Sequence, residues 1–217
     1  MPIIGITGGF GTGKTFVASL FKKLGAEVID ADRLAHQTLK KGSATYKKIV
    51  AVFGKAVLDT GGSINRDKLG RIVFDNKKKL ARLNRIIHPV VIKQIKKRIR
   101  ESKNDILALD APLICETNLP DLMDVLVVVR SSRQKQIERC VKKFNMEKKD
   151  VCKRMACQMP LKAKISKADY VVDNDGTRKE TKKKVNRIWQ ELKPFGKSSG
   201  LYPERGRRIK KGVSLWR

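Results

Sequence analysis

The segment from Gly8 to Thr15 combines the residue types that bind phosphate. Its sequence, GGFGTGKT, satisfies the pattern G-x-x-x-x-G-K-[ST]. Glycines let backbone N–H groups turn towards phosphate oxygens without Cβ clashes. Lys14 is placed to bridge the β- and γ-phosphates, and the Thr15 hydroxyl is placed to ligate Mg²⁺. The sequence therefore predicts that this segment binds a nucleoside triphosphate together with Mg²⁺.

The elements around this loop are those that the motif requires. An apolar run of strand length occupies residues 2–7, immediately before the loop. After the loop, apolar residues recur at helical spacing until Gly25, which is typical of a helix stop. These apolar residues are Val17, Leu20, Phe21 and Leu24. A strand, a glycine-rich turn and an amphipathic helix in this order favour phosphate binding over a merely tight turn.

Three carboxylates follow predicted strands, where ligands of parallel sheets gather. Asp30 and Asp32 come after the apolar run at 26–29, and Asp110 closes the run at 106–109. Transfer of a phosphoryl group to a hydroxyl requires such a carboxylate near the γ-phosphate. Asp110 is placed to hold Mg²⁺ through water. The alternatives are capping of the next helix by Asp30 or Asp32, and simple solvation of Asp110 at a strand end.

Further apolar runs at 106–109, 125–129 and 170–172 alternate with helical patterns. This alternation predicts an α/β fold whose parallel sheet is covered on both faces. One predicted helix has Pro89 in its first turn. Another carries the apolar repeat Ile137, Val141 and Phe144.

The lengths of the intervals between these runs predict the domain organisation. Residues 38–104 are too many for a simple crossover, so we expect a helical insert there. Residues 131–165 are very basic and helical in pattern, which favours a second insert that acts as a lid. The rest of a single domain over 1–193 is its core, at 1–37, 105–130 and 166–193. Glycine, serine and basic residues at 194–217 predict a flexible tail.

The charge of the chain is strongly positive, with 50 Lys+Arg against 21 Asp+Glu and a net charge of +29. The excess is spread along the chain, and lysine outnumbers arginine, whereas base recognition favours arginine. We therefore expect a lysine-rich solvated surface with weak, non-specific attraction to polyanions, and no specific nucleic-acid partner.

Composition also indicates the compartment. No apolar stretch approaches the roughly 20 residues of a membrane span. The phosphate-binding pattern occupies the place of a secretory signal's apolar region. The cysteines, at positions 115, 140, 152 and 157, form no C-x-x-C pair and lie at no metal-ligand spacing from a histidine. We expect a cytoplasmic protein with reduced thiols, no zinc site and no membrane partner.

Several further motifs appear in the same order as in a known family. The chain resembles the dephospho-coenzyme A kinases over nearly all of residues 3–176. The motifs that carry the resemblance are VIDAD at 28–32, INRDKLG at 64–70, HP at 88–89, PLICE at 112–116, RMACQ at 154–158 and ADYVVDNDG at 168–176.

The resemblance implies a three-layer P-loop kinase fold with a five-stranded parallel sheet, a helical substrate-binding insert and a helical lid. It implies that ATP phosphorylates the ribose 3′-hydroxyl of dephospho-coenzyme A, the last step of coenzyme A biosynthesis. By the same match, Asp32 is the catalytic acid, and Arg66, His88 and Glu116 line the acceptor site.

The match also implies residues that bind the nucleotide. Lys14 and the lid cations Arg139 and Arg154 neutralise the transferred phosphate, and Asn174 and Gly176 lie beside the adenine of ATP. The loop residues implied to contact ATP are Gly8, Gly9, Gly11, Thr12, Gly13, Lys14, Thr15 and Phe16. The chain departs from the family at Phe16, where a hydroxyl residue is usual, and at Lys143, where arginine is common and its bidentate fork is lost.

Two other functions remain open from the residues alone. A nucleoside monophosphate kinase would share the loop and the lid. A nucleic-acid-binding P-loop ATPase would account for the charge. Local alternatives also remain: His88 could cap or pack at a helix start, and Arg66 could be a solvated loop cation.

Overall fold

The computed structural model describes residues 1–117 and 119–195. Its strands are β1 (Ile3–Gly8), β2 (Glu27–Asp30), β3 (Leu107–Asp110), β4 (Val125–Arg130) and β5 (Tyr170–Asp173). Its α-helices are α1 (Lys14–Lys23), α2 (Ala31–Thr38), α3 (Ala44–Phe53), α4 (Arg66–Phe74), α5 (Lys77–Glu101), α6 (Arg133–Phe144), α7 (Lys148–Ala156), α8 (Leu161–Ile165) and α9 (Arg178–Leu192). Short 3₁₀ helices lie at Lys55–Val57, Ile114–Glu116, Pro120–Leu122 and Lys193–Phe195. Each strand predicted from an apolar run is confirmed to within one residue at either end.

The described elements divide into two compact units, Met1–Ile29 with the described residues from Ser102 to Phe195, and Asp30–Glu101. Within the described residues, a five-stranded sheet has the strand order β2-β3-β1-β4-β5. The central strand β1 pairs in parallel with β3 and with β4, and β4 pairs in parallel with β5. The predicted α/β fold with a five-stranded parallel sheet is therefore confirmed.

Alternation along β1 shows how the sheet is covered. Ile4 and Ile6 are completely buried in one core with α1 and α9. Gly5 and Thr7 point to the opposite face because strand side chains alternate. There a Cβ on Gly5 would contact Met123 and Ile114, and the Thr7 hydroxyl donates to the carbonyl of Pro112 at 3.0 Å. The carboxyl end of β1, which leads into the phosphate-binding motif, is thus fixed from both sides.

The second unit is helical and has its own apolar core. Ile49, Leu69, Val73 and Leu83 bring α3, α4 and α5 together and are all buried. Side-chain caps begin two of these helices: Ser43 accepts from a backbone N–H of α3, and Asn65 accepts from two of α4.

Pro89 lies inside α5 and not in the first turn of a helix, so that prediction was wrong. An interior proline removes one backbone hydrogen bond and costs about 3 kcal/mol. The helix continues because an apolar stripe at four-residue spacing runs past the proline on both sides. Its members are Leu83, Ile87, Val91, Ile95 and Ile99, of which only Ile87 is not fully buried.

The apolar repeat on α6 does not face a core. Val141 and Phe144 are 39% and 49% exposed, and the buried residues of this helix are Gln136 and Cys140. The predicted helix is confirmed, and its buried residues lie outside the apolar repeat. Among the described residues no helix is both long and apolar enough to cross a bilayer. Beyond Phe195 the predicted tail lies outside the described residues, and the functional boundaries of insert and lid stay predictions.

Candidate active site

The glycine-rich loop between β1 and α1 has a backbone that only glycine tolerates at two positions. Gly11 and Gly13 have φ angles of +79° and +90°, in the left-handed region. A Cβ on Gly13 would lie 2.2 Å from Nδ2 of Asn174, and one on Gly11 would lie 2.6 Å from the carbonyl oxygen of Gln136. The loop is therefore packed tightly from outside, and its backbone conformation requires glycine at both positions.

The start of α1 offers positive charge to an anion. No side chain in the described part of the chain caps this helix, and its first turn contains no acidic residue. The Lys14 side chain folds back over the loop, and its ammonium group donates to the carbonyl of Gly9 at 2.9 Å. Thr12 is completely buried and its hydroxyl donates to the same carbonyl at 2.9 Å, so it closes the loop. A helix N-terminus, a lysine and left-handed glycines together form a phosphate cradle.

Thr15 and Asp110 are the predicted ligands of Mg²⁺ and stay predictions. Thr15 is exposed in the first turn of α1. Asp110 ends β3, pairs with Ile6 of the central strand and is only 6% exposed. Mg²⁺ prefers one or two protein oxygens, with water and substrate phosphates completing its shell. The two side chains fit that requirement.

The other residues near this cradle contribute in different ways. Phe16 donates its backbone N–H to the carbonyl of Gly13, and its ring packs on the core beneath the guanidinium of Arg178. A contact between Phe16 and ATP stays a prediction. Gly176 lies where a Cβ would collide with the Glu180 carboxylate, which caps α9.

Asn174 anchors the phosphate-binding loop to the end of β5. Its Nδ2 donates to the carbonyl of Thr12 at 2.8 Å, and its Oδ1 accepts from the Thr181 hydroxyl at 2.9 Å. The residue is 7% exposed. Both ends of its amide are therefore engaged within the protein, a positioning role that the sequence did not reveal. Its predicted place beside adenine stays a prediction.

The variant Asn174→Asp keeps the shape of this side chain but replaces the N–H donor with an acceptor that faces the Thr12 carbonyl. We expect the KM for ATP to rise about 10–100-fold, because an unpaired buried acceptor costs about 1–3 kcal/mol and loosens the loop. We expect kcat to fall less than the affinity. Steady-state kinetics test this, with Asn186→Ala on α9 as the control. Equal KM values for the two variants would contradict the anchoring role.

The two predicted lid arginines both reach this loop. Arg139 donates to the carbonyl of Asn174 at 2.7 Å and to the Ser131 hydroxyl at 3.3 Å. The guanidinium of Arg154 lies 5.8 Å from the ring centroid of Phe10, which stacks on Phe144 at 5.7 Å. Arg139 therefore lies on the Gly13 side of the loop and Arg154 beside Phe10. The ammonium of Lys143 lies over the Phe144 ring.

The N-terminus of α6 is fixed by an acid that comes from the segment after β5. The Asp175 carboxylate accepts from the Ser131 hydroxyl at 2.5 Å and from the backbone N–H of Ser132 at 2.9 Å. Against the opposing effect of desolvation, these hydrogen bonds and the charge of Lys135 hold the pKa of Asp175 below its ordinary value. The carboxylate therefore remains ionised at neutral pH and anchors the helix that carries Arg139.

A buried lysine, which the sequence did not single out, holds Glu116. The side chain of Lys164 is completely buried on α8, and its ammonium lies 3.0 Å from Oε1 of Glu116 and 2.7 Å from the carbonyl of Pro112. The same Oε1 accepts from the backbone N–H of Met159 at 2.8 Å. About a fifth of the Glu116 side chain is exposed. Glu116 is thus fixed in orientation, as a ligand-binding carboxylate must be.

Replacing Lys164 with methionine is expected to destabilise the fold by about 1–3 kcal/mol, since the Pro112 carbonyl and Glu116 lose a buried donor. The melting temperature should fall and the KM for the acceptor should rise. Lys162→Met, at an exposed position on the same helix, is the matched control. A melting temperature unchanged in Lys164→Met would show that this ion pair does not hold the segment.

In the second unit, Asp30 and Asp32 have separate roles. Asp30 caps α2, because its carboxylate accepts from the backbone N–H of Arg33 at 2.9 Å. Asp32 lies in the first turn of the same helix with an exposed side chain. Capping therefore applies to Asp30, and the catalytic role of Asp32 stays a prediction.

Arg66 and Asp32 lie close enough to affect the titration of His36, which the sequence motifs did not indicate as a site residue. Burial, followed by the positive charge of Arg66, holds the pKa of His36 below its ordinary value, while Asp32 and Asp30 oppose the shift. His36 is therefore neutral at pH 7. Its i,i+4 spacing from Asp32 on α2 was the available signal.

His88, by contrast, is a half-buried residue inside α5. It does not begin a helix, so the capping alternative was wrong. Its contact with an acceptor stays a prediction.

All four cysteines are free of disulfides. Burial raises the pKa of the Cys140 thiol, which keeps it protonated. Within the described ranges, no group of three or more His, Cys, Asp or Glu side chains lies close enough to hold a metal ion.

Comparison with known proteins decides the family. The dephospho-CoA kinase family model matches residues 2–180. The chain belongs to the dephospho-CoA kinase family. It is 40% identical over 196 residues to the dephospho-CoA kinase of Carboxydothermus hydrogenoformans. The aligned region covers 89% of this chain and 95% of that relative. It is also 40% identical over 193 residues to that of Aquifex aeolicus, which covers 88% and 98%.

Solved structures share this fold. TT1252 from Thermus thermophilus has a TM-score of 0.75 at 27% identity and covers 88% of this chain and 97% of its own. The dephospho-CoA kinase from Campylobacter jejuni has a TM-score of 0.57 at 24% identity. The match covers 88% of this chain and 96% of the Campylobacter chain. Shikimate kinase from Acinetobacter baumannii shares the fold alone, with a TM-score of 0.51 at 14% identity and 94% and 96% covered. This member of the dephospho-CoA kinase family therefore has a P-loop kinase fold.

Proposed function

We propose that this enzyme transfers the γ-phosphoryl group of ATP to the 3′-hydroxyl of the ribose of dephospho-CoA, the last step of coenzyme A biosynthesis. The observation that carries this proposal is the intact phosphate cradle of Gly11, Gly13 and Lys14 in a chain whose family match covers residues 2–180. The chain thus has a phosphate-binding loop, and its similarity to the family extends over most of its residues.

The cradle binds the triphosphate of ATP. Backbone N–H groups of the loop and the N-terminus of α1 face the β- and γ-phosphates, and Lys14 exchanges its bond to the Gly9 carbonyl for phosphate oxygens. Asn174 keeps the loop in shape by holding the Thr12 carbonyl. Because the backbone of the loop is fixed before ATP arrives, its N–H groups need little reorganisation during the transfer.

Thr15 and Asp110 are the residues that would hold Mg²⁺. When bound, Mg²⁺ neutralises charge on the β- and γ-phosphates. The Thr15 hydroxyl is exposed at the helix start, and the buried carboxylate of Asp110 is suited to hold the metal through water.

Asp32 accepts the proton of the acceptor's 3′-hydroxyl as that oxygen bonds to the γ-phosphorus. The bond between the γ-phosphorus and the bridging oxygen breaks, and ADP leaves with the electron pair. Arg66, His88 and Glu116 contact the acceptor, and Lys164 keeps the Glu116 carboxylate in place. The exposed position of Asp32 beside a separately capped helix start supports this role.

Arg139 and Arg154 neutralise the charge of the transferring group. Both are partly buried and held beside the loop, Arg139 by hydrogen bonds and Arg154 over the Phe10 ring. Cations placed around the equatorial oxygens stabilise a dissociative transition state.

An acceptor screen with ATP tests the proposal. We expect turnover with dephospho-CoA and none above background with nucleoside monophosphates. Turnover with a nucleoside monophosphate alone would favour the other kinase class. ATP hydrolysis stimulated by DNA or RNA and lost at high salt, without dephospho-CoA turnover, would favour a nucleic-acid-dependent ATPase.

A further inference from the structure

One face of helix α6 packs against the phosphate-binding loop. This face contains Gln136 and Cys140, which lie one turn apart and are 4% and 1% exposed. A helix that packs on an apolar core buries an apolar stripe, whereas α6 buries an amide and a thiol. The partner of this face is therefore a polar backbone and not an apolar core.

Two glycines of the loop accommodate this face. A Cβ on Gly9 would lie 2.9 Å from Oε1 of Gln136. A Cβ on Gly11 would lie 2.6 Å from the backbone carbonyl oxygen of Gln136 and 2.7 Å from Sγ of Cys140. The helix and the loop thus approach so closely that each glycine has room for a hydrogen atom but not for a side chain.

The phosphate-binding motif itself does not require these two glycines. Its fixed glycines are Gly8 and Gly13, whereas Gly9 and Gly11 occupy variable positions of G-x-x-x-x-G-K-[ST]. Gly11 has a left-handed backbone, which favours glycine in any case, but Gly9 does not have a positive φ angle. Apart from Gln136, the nearest atom to a Cβ on Gly9 would be at an ordinary contact distance of 3.5 Å. The contact with α6 is therefore what requires glycine at position 9.

The side chain of Gln136 is held in one orientation at this contact. Its Nε2 donates to the carbonyl of Ser131 at 2.7 Å in a buried hydrogen bond. Its backbone N–H donates to the carbonyl of Ser132 at 3.0 Å, in the first turn of α6. Both serines are in turn bound by the Asp175 carboxylate. A chain of hydrogen bonds thus keeps Oε1 of Gln136 against Gly9.

We propose that Gln136 is a positioning residue that holds residues 9–11 of the loop in the conformation that binds the phosphates of ATP. Its side chain contacts Gly9 and its backbone contacts Gly11, so α6 forms the outer wall of the loop. Backbone N–H groups bind phosphate well only when they are oriented beforehand, so a shift of this segment lowers the affinity for ATP. The inference rests on the proposed binding of ATP at this loop and not on the identity of the acceptor.

The variant Gln136→Ala tests the inference, because it removes the contact with Gly9 and keeps a strong helix former in α6. We expect the Kd for ATP to rise about tenfold, with the KM for dephospho-CoA within about twofold of wild type. Gln134→Ala, which removes an exposed glutamine of the same helix, is the control and should leave both constants unchanged. Calorimetric titration gives the Kd, and melting curves establish that each variant is folded.

A double-mutant cycle separates positioning from a general loss of stability. In Gly9→Ala the new methyl group meets Oε1 of Gln136, so the Kd for ATP should rise about tenfold. In the Gln136→Ala background this obstacle is gone, and adding Gly9→Ala should change the Kd by less than about twofold. Gly11→Ala is the contrast, because its methyl group meets the backbone carbonyl of residue 136, which Gln136→Ala retains. It should be equally damaging in both backgrounds.

The cycle can also be run with Gln136→Asn, which withdraws the side chain from Gly9 by one methylene group, should Gln136→Ala be unfolded at the assay temperature. We expect the same relief of Gly9→Ala in that background.

Three results would overturn the positioning role and leave the proposed function intact. They are an unchanged Kd for ATP in Gln136→Ala, an equal rise in the Kd for ATP and the KM for dephospho-CoA, and an equal effect of Gly9→Ala in both backgrounds. The Kd for ATP is measured without an acceptor. Failure of the wild-type enzyme to phosphorylate dephospho-CoA would therefore overturn the proposed function and not the role of Gln136.

Discussion

Replacing Asp32 with asparagine is expected to lower kcat by about 10²–10⁴-fold, the usual contribution of a general base, with the KM for ATP little changed. The amide cannot take the proton of the 3′-hydroxyl. The fold should persist, because the Asp32 side chain is exposed and the cap of α2 is supplied by Asp30. Single-turnover kinetics with saturating ATP separate the chemical step from binding.

Asp30→Asn is the matched control for this prediction. It makes the same change of charge two residues away, and asparagine caps helices about as well as aspartate. We expect its kcat to stay near the wild-type value. Near-normal turnover in Asp32→Asn, or an equal loss in both variants, would exclude Asp32 as the proton acceptor.

Replacing Lys14 with alanine is expected to lower kcat/KM for ATP by about 10²–10³-fold, as for loss of one fixed charge that stabilises the transition state. The ammonium is 2.9 Å from the Gly9 carbonyl at the mouth of the loop, where it can reach phosphate oxygens. The loop should remain closed in the variant, since the Thr12 hydroxyl still donates to the same carbonyl. Kinetics and calorimetric titration with ATP measure the two parts of the loss.

Lys23→Ala, on the last turn of the same helix, removes an equal charge from an exposed position and should have no comparable effect. A similar loss in both variants would mean that general positive charge attracts ATP. A loss confined to Lys14→Ala would tie the effect to its position.

The elements that position the site were predictable because each has a local signal. The strands are apolar runs, which are buried on both faces in β1, β3 and β4 and partly exposed in the edge strands β2 and β5. The loop motif itself requires the strand before it and the helix after it. Asp110 ends its strand as predicted, and its role in binding Mg²⁺ stays a prediction. Such patterns can be recognised in the sequence because they depend only on residues that are close together along the chain.

Other features depended on contacts between distant parts of the chain. Lys164 looked like one more lysine of a very basic segment, and its burial depends on Glu116 and Pro112, about fifty residues away. Asn174 donates to the carbonyl of Thr12, which is 162 residues away in the sequence. Pro89 was misplaced for the opposite reason: a local rule for proline was outweighed by packing along the apolar stripe of α5. Long-range packing is therefore where sequence reasoning failed.

The position of the transferred phosphate is the most direct test of the proposed function. The product made from ATP and dephospho-CoA can be analysed by phosphorus NMR and compared with authentic coenzyme A. We predict a new phosphomonoester on the ribose 3′-oxygen and stoichiometric ADP. A phosphate elsewhere on the acceptor, or ADP formed without any phosphorylated product, would contradict the account.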